Sequence, residues 1–293
     1  FSTNDLDDFI VRKKDATPTF MFANAVDDSL MEVDLVLRGD DHLSNTPRQI
    51  ALLKALNLSL PQYAHVSLFT GLDGAPLSKR NGSLSINDLR EMGYLPKAVA
   101  NYLSRVGHTI PDNDLKTLED LALVFETQNI SSSPSKFDMD QLLFWQKKTV
   151  ESLTVNECKE WLEKHLRDLP SDLNHEDFIE LVKDNINFPE EAKNYLNKLF
   201  YQPLTAQTEV ENIIKTAGKE FYLVAYKVID SGFDNWIEAT KLIGGESGKK
   251  GKDLFMPLRV AITGQTTGPE LDKVVDFIGV NRVLERVREA SEL

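Results

Sequence analysis

Residues Ala64–Gly82 read AHVSLFTGLDGAPLSKRNG, and the chain is patterned differently on the two sides of this stretch. It opens on an apolar, strand-like run, His65 to Phe69, and passes into a turn-rich segment, Thr70-Gly71-Leu72-Asp73-Gly74. Pro76-Leu77-Ser78-Lys79-Arg80-Asn81-Gly82 follows, placing two adjacent cations on a loop bracketed by Gly74 and Gly82. Such a loop can swing onto a polyphosphate, the lysine as a point charge and the arginine as a bidentate fork. Taken alone, three residues of this kind read more simply as a solvated basic turn. What they mean depends on the segments around them.

Upstream, Thr17-Pro18 imposes an extended entry, and Thr19–Val26 (TFMFANAV) is predicted as a buried strand. Alternation then puts Phe20, Phe22 and Asn24 on one face. An asparagine among apolar neighbours needs hydrogen-bond partners, from backbone or from a ligand. Asp27-Asp28-Ser29 signals a turn or helix start. Glu32–Gly39 (EVDLVLRG) alternates as a second strand, with Asp34, Val36 and Arg38 on the face opposite Val33, Leu35 and Leu37. It stops at Arg38-Gly39-Asp40-Asp41-His42. Charges just past the C-terminal end of a strand lie where open α/β sheets bind ligands; a salt-bridged surface turn is the other reading. Asn45-Thr46-Pro47-Arg48 predicts a helix start, with a capping residue and a proline in the first turn. Ile50, Leu53 and Leu56 continue it as an apolar stripe, and Asn57 ends it in the left-handed conformation. Residues 19–70 thus read strand, turn-helix, strand, helix, strand: half of a doubly wound parallel sheet.

Downstream the pattern is helical. Ser85–Arg90, Pro96–Leu103, Leu118–Phe125 and a segment beginning at Phe137 carry helical signals, and Ser131–Ser135 is a loop. Beyond Val150 no strand alternation occurs. Glu157–Leu166, His175–Asn185, Pro189–Phe200, Val210–Asp230 and Asn235–Gly244 are predicted as amphipathic helices. Gly244–Gly251 reads as a flexible loop. Around it Lys241, Lys249, Lys250, Lys252 and Arg259 outnumber Glu246 and Asp253, forming a basic island. The island is either a solvated loop before a buried helix or a phosphate contact.

The chain has 293 residues, 41% hydrophobic, with a formal net charge of -13. That is enough for about two domains. The acidic balance excludes a uniformly basic coat but not a local basic face on nucleic acid. One cysteine, Cys158, excludes an internal disulfide framework and a cysteine-only zinc site, and it fits a reducing cytoplasm. No apolar run approaches 18 residues. The chain begins at Phe1 inside a polar segment, so it is read as a piece of a longer one.

Six segments in order carry a resemblance: Pro18–Asp28 (PTF…ANAVDD), Val36–Ile50 (VLRGDDHLSNTPRQI), Tyr63–Leu68 (YAHVSL), Leu77–Gly82 (LSKRNG), Gly93–His108 (GYLPKAVANYLSRVGH) and Leu254–Leu271 (LFMPLRVAITG…GPEL). Together they resemble the bacterial glutamyl-tRNA synthetase family of class I aminoacyl-tRNA synthetases, across essentially the whole chain. The resemblance implies the second half of a Rossmann-type parallel sheet, followed by helical stem-contact and helical anticodon-binding domains. Its expected boundaries are 1–17 for the tail of an acceptor-binding insertion and 18–75 for the half-Rossmann domain. Residues 76–150 would be the signature loop and stem-contact domain, and 151–293 the anticodon-binding domain.

It also implies the chemistry. Glutamate and ATP, with Mg2+ accompanying the nucleotide, form glutamyl-adenylate, and the glutamyl group passes to tRNA(Glu). Lys79 would neutralise charge on the reacting phosphates, with Ser78 and Arg80 positioning the loop. Arg38, Phe20 and Asn24 would bind glutamate, and Asp41, His42 and Leu77 would bind ATP alongside Lys79. Lys249, Lys250, Lys252 and Arg259 would bind tRNA. No metal site, no membrane segment, a monomer and a cytoplasmic location are expected. Three positions depart from the family pattern: Phe20 replaces a tyrosine, Asp41 a glutamate, and Pro76 the first lysine of the signature loop. None of the five histidines lies in an HIGH-type motif, so this chain by itself is expected not to activate glutamate. A non-catalytic tRNA-binding fragment or paralogue is the alternative.

Overall fold

In a computed structural model describing residues 6–75, 77, 85–167, 169–171 and 173–293, the run predicted as the first strand is a helix. Thr19 is extended, and helix α1 spans Phe20–Leu30. The reason lies in spacing and propensity. Phe22, Ala25, Val26 and Ser29 repeat at i, i+3, i+4 and i+7, and Ala and Met favour helix. Phe20 and Asn24, four residues apart, still share a face, while Phe22 and Ala25 turn inward.

The chain divides into two compact units, Phe1–Ser85 with Val99–Leu142, and Ile86–Ala98 with Leu143–Leu293. In the first, strand β1 is Leu35–Gly39 and not Glu32–Gly39. Glu32 has φ 56°, a left-handed conformation that no strand residue adopts. A 3-10 turn, Asp40–Asn45, leads directly into α2, Thr46–Ala55. Asn45 therefore does not cap α2 through its side chain; its Nδ2 lies 3.0 Å from His42 Nδ1. Asn57 does end this segment with φ 54°. Strand β2, Gln62–Val66, pairs parallel with β1 in the register Leu35↔Gln62, Leu37↔Ala64, Arg38↔His65 and Gly39↔Val66. The strand predicted at His65–Phe69 is thus two: β2, and a short β3, Phe69–Thr70, which pairs with β4, Ser135–Lys136. Ser67 breaks the run by donating its hydroxyl to Ser132 O at 2.8 Å. Helices α3 (Ile86–Glu91), α4 (Pro96–Leu103), α5 (Leu118–Val124) and α6 (Met139–Ser152) follow β3 in the chain. Under β1 and β2 the core is small: Ala25, Leu52 and Leu53, with Phe9, Phe22, Val26 and Leu58 against it.

The second unit is helical. Among the described residues it contains no strand, as the sequence predicts. Its helices include α7 (Val155–Leu162), α8 (His175–Val182), α9 (Pro189–Phe200), α10 (Thr208–Ala217), α11 (Lys219–Asp230), α12 (Trp236–Ser247), α13 (Lys252–Thr263) and α14 (Leu271–Ser291). Thr154 and Glu157 form a reciprocal capping box at α7. The single helix predicted for Val210–Asp230 is split at Gly218, whose φ of 83° interrupts the helical backbone at little cost only in glycine. The predicted loop Gly244–Gly251 is helical as far as Ser247. A Cβ on Gly244 would stand 3.0 Å from Leu254 Cδ2 and 3.1 Å from Lys249 O, so the glycine eases the close turn from α12 toward α13.

One continuous core runs from Cys158 to Ala290 and includes Phe178, Leu196, Tyr222, Ala225 and Leu258. Two arginines of α14 close it at the end of α9. Arg282 donates to Leu199 O and Phe200 O, and Arg286 donates to Lys198 O and Gln202 O. A cation at a helix C-terminus meets carbonyls that have no partner within their own helix. Burial depresses the Arg286 pKa, and Glu289, 3.0 Å away, opposes that shift. No helix among the described residues is long and apolar enough to cross a membrane.

Candidate active site and nucleic-acid interface

The parallel pairing of β1 and β2 ends at Gly39 and Val66; Arg38 lies at that end, Asp41 and His42 follow in the next turn, and Phe20 stands against His42. The backbone is closely approached there: a Cβ on Gly39 would fall 2.5 Å from Asp41 Oδ1 and 2.8 Å from Leu68 Cδ2, so both side chains would have to swing aside. Arg38 is half-buried. Its Nη2 donates to Thr46 Oγ1 at 2.8 Å, its Nε points to His65 Nε2 at 3.5 Å, and its Cζ sits 5.1 Å from the centre of the Tyr63 ring. Among the described residues no carboxylate lies within ion-pair distance of Arg38. Asp28 on α1 lies close enough to feel the Arg38 charge. Burial raises its carboxyl above the usual range, and the Arg38 charge opposes that rise.

Phe20 and His42 are neighbours, with ring centres 5.6 Å apart, and Phe20 is 60% exposed. Asp41 Oδ2 lies 3.8 Å from His42 Nε2. Asn24 Oδ1 accepts from Gln49 Nε2 at 3.0 Å, and Gln49 is fully buried. The asparagine thus has the partner it requires, from α2. Leu77 donates its N–H to Phe69 O at 3.3 Å. Ser78, Lys79 and Arg80, with Pro76, lie outside the described residues.

Sequence reasoning missed His65, Thr46, Tyr63 and Gln49. Thr46 carried a signal, since it sits one residue before a helix-starting proline, but it was read only as part of that start. His65 carried none, because its place beside Arg38 is created by strand register.

In the helical unit the four basic candidates separate into two kinds. Lys249 Nζ donates to Ala217 O, the last residue of α10, at 2.7 Å and lies 4.7 Å from the centre of the Phe221 ring. Arg259 Nη1 donates to Pro269 O at 2.9 Å. Lys250 and Lys252 are exposed. They rim a groove of ≈ 1190 Å³ that Ile213, Met256 and Pro257 also line. Among the described residues no group of three or more His, Cys, Asp or Glu could hold a metal ion.

Residues 1–144 match the family described as tRNA synthetases class I (E and Q), catalytic domain. Residues 153–291 match the anticodon binding domain family. The chain is 45% identical over 293 residues to glutamate--tRNA ligase 1 of Halorhodospira halophila, covering 100% of this chain and 61% of the relative. It is 42% identical over 293 residues to glutamate--tRNA ligase 2 of Nitrosococcus oceani, covering 62% of that protein. The chain therefore spans about three-fifths of the length of the curated relatives it matches. The glutamate-tRNA synthetase of Elizabethkingia anophelis superposes with a TM-score of 0.83 at 23% identity, over 99% of this chain and 63% of that one. A glutamate tRNA ligase of Elizabethkingia meningosepticum, solved in complex with its amino acid, superposes with a TM-score of 0.85 at 23% identity. At that identity the superpositions speak for the fold, and the relatives carry the kinship. With a class I catalytic-domain match over its first half, an anticodon-binding match over its second, and glutamate--tRNA ligases 42–45% identical across all of its residues, the chain belongs to the bacterial glutamyl-tRNA synthetase family of class I aminoacyl-tRNA synthetases.

Proposed function

We propose that this chain supplies the glutamate-receiving and tRNA-contacting parts of a glutamate--tRNA ligase. Arg38 carries the proposal. A guanidinium held at the C-terminal end of a parallel strand by a hydroxyl, an imidazole and an aromatic ring, with no carboxylate at ion-pair distance among the described residues, suits the side-chain carboxylate of glutamate. Phe20 and Asn24 on α1 would flank the same ligand. Phe20 keeps an aromatic wall but has no hydroxyl to offer. Asp41, His42 and Leu77 would meet ATP, which brings Mg2+ with it. Lys79 would stabilise charge on the α-phosphate and departing pyrophosphate, with Ser78 and Arg80 setting the loop. Lys250 and Lys252 would contact tRNA phosphate directly. Lys249 and Arg259, tied to backbone carbonyls, would shape the surface that does so. The enzyme would act in the cytoplasm as a monomer.

Residues 1–293 alone are expected to bind tRNA without activating glutamate. Parallel sheets are ordinarily covered on both faces, yet Leu35 and Leu37 of the two-stranded sheet remain 44% and 42% exposed. Class I activation needs ATP held from both sides, and a displacement of about 1 Å costs on the order of a hundredfold in rate. Glutamate-dependent ATP–pyrophosphate exchange decides. Exchange by the full-length protein carrying this chain, lost in Arg38→Ala, supports the ligase. Its absence there, with tRNA binding retained, favours a non-catalytic tRNA-binding protein. Robust exchange by residues 1–293 would show that the site is complete in this chain.

A further inference from the structure

Groups from three elements of the first unit meet at Arg38, and two of them, His65 and Thr46, touch its guanidinium without any proposed contact to a substrate. The strand register sets Arg38 opposite His65. Arg38 Nη2 donates to Thr46 Oγ1 at 2.8 Å, and Thr46 Oγ1 stands 2.9 Å from His65 Nε2. Arg38 Nε approaches the same His65 Nε2 at 3.5 Å. An arginine only donates, so His65 Nε2 must accept. The Thr46 oxygen already receives an Arg38 proton. Its own proton has two destinations, His65 Nε2 at 2.9 Å and His42 O at 3.5 Å, and the shorter is the imidazole. The geometry therefore calls for a neutral His65 with its proton on Nδ1.

We propose that His65, acting through Thr46, is a positioning residue that holds the Arg38 guanidinium in the orientation that receives the substrate carboxylate. The proposal rests on Arg38 being that receptor. A guanidinium on a flexible stem is pre-organised only if something fixes it, and fixing it beforehand spares that ordering cost on binding. Protonating His65 would remove the acceptor and place a second cation beside the first, which repels it.

The charged and titratable groups facing His65 are Arg38 on β1, Asp40 and His42 on the following turn, and Tyr63 on its own strand. Asp28 on α1 faces Arg38 and Tyr63 in turn. Burial, Arg38 and His42 hold His65 below its ordinary value of 6.5, while Asp40 pulls the other way. A lowered value means that the holding form persists at neutral pH and is lost as pH falls through the lowered value. Glutamate affinity should therefore be full near pH 7 and decline on the acid side of about 6.5.

The test measures KM for glutamate and for ATP in pyrophosphate exchange by the full-length protein carrying this chain, from pH 5.5 to 8, with thermal denaturation as a check on folding. His65→Leu and Thr46→Val are expected to raise KM for glutamate about tenfold while KM for ATP changes little. His65→Gln, whose Oε1 can stand in for Nε2 as an acceptor that does not titrate, should recover most of the affinity lost in His65→Leu. It should also lack the acid-side rise in KM. An unchanged KM for glutamate in a folded His65→Leu, or an acid-side rise in His65→Gln equal to that of the wild type, overturns the proposal. If His65→Leu does not fold, the pH profile of His65→Gln decides alone. Arg38→Ala separates the two ideas. If it leaves KM for glutamate unchanged, the carboxylate reading itself fails. If it raises that KM while folded His65 and Thr46 variants do not, only the positioning role fails.

Discussion

In the helical unit Leu196 is fully buried and the side chain of Arg286 is only 2% exposed, whereas in the α/β unit Leu35 and Leu37 of β1 stay 44% and 42% exposed. The helical unit closes a continuous core from Cys158 to Ala290, and the core beneath the strands amounts to Ala25, Leu52 and Leu53 with a few partly buried neighbours. Apolar burial stabilises by roughly 25 cal/mol per Å², so most of the stability of this chain resides in its helices. The residues proposed for glutamate and ATP sit in the region with the least core. The site is held by polar contacts instead: Arg38 to Thr46, Thr46 to His65, and Asn24 to Gln49. Folding strength and the proposed chemistry thus fall in separate parts of the chain.

The strongest way to break that division is Arg286→Ala. It leaves the carbonyls of Lys198 and Gln202 at the end of α9 without their charged donor, and each hydrogen bond to a charged group is worth about 1.5–3 kcal/mol. Chemical denaturation should show that loss, while KM for glutamate in the full-length protein stays as it was. A stability loss below about 1 kcal/mol would mean that the carbonyls are satisfied without the arginine. Lys79→Ala is the converse. The residue lies outside the described part of the structure, and its proposed role predicts an adenylation rate lower by the equivalent of about 3–4 kcal/mol. The denaturation midpoint should not change. Pre-steady-state kinetics with an unchanged rate would remove Lys79 from the chemistry.

A matched pair of leucines gives a finer measure. Leu196→Ala should destabilise by about 2.7–5 kcal/mol because it opens a cavity in a closed core. Leu37→Ala, already 42% exposed in residues 1–293, should cost less than about 1.5 kcal/mol in that chain. Similar losses at both sites would contradict the unequal cores. The smallest effect belongs to the groove. Changing Lys250 and Lys252 together to Ala should flatten the salt dependence of tRNA binding by a slope of about two. Changing Lys249 or Arg259 alone should instead lower thermal stability, since each caps backbone carbonyls. An unchanged slope would leave the two exposed lysines as solvated surface.

Burial also sets a chemical marker for the helical core. It pushes the Cys158 thiol up to about 11, so at pH 8 the native thiol is protonated and sheltered. Iodoacetamide should label it only as fast as the helical unit opens. The sign of the linkage follows: the contribution to stability is full below the ordinary thiol value and is lost as pH rises toward about 11. Rapid labelling of the folded protein at pH 8 would contradict a closed core.

Much of this was legible in the residues. Pro189 at the first turn and the apolar spacing to Phe200 marked α9 with the bounds the structure has. Asn57 was read correctly as a left-handed helix end. Six ordered segments point to the family by residue identity alone. Misreadings arose where two periodicities fit the same short run. Thr19–Val26 suits a strand by alternation and a helix by its inward Phe22, Ala25 and Val26, and what selects helix is a partner, the Leu52 and Leu53 face of α2.

By itself the sequence determined the family, the order of the segments, most helices of the second half, and the type of chemistry its cations and carboxylates can perform, because these depend on residue identity and local spacing. Only the tertiary structure decided which polar groups meet. His65 stands by Arg38 because β1 and β2 pair in one register out of several possible. Lys249 is engaged because α10 ends within its reach, and Arg286 is buried because α14 crosses the end of α9. Such contacts join residues far apart in the chain, and no periodicity within either segment encodes them.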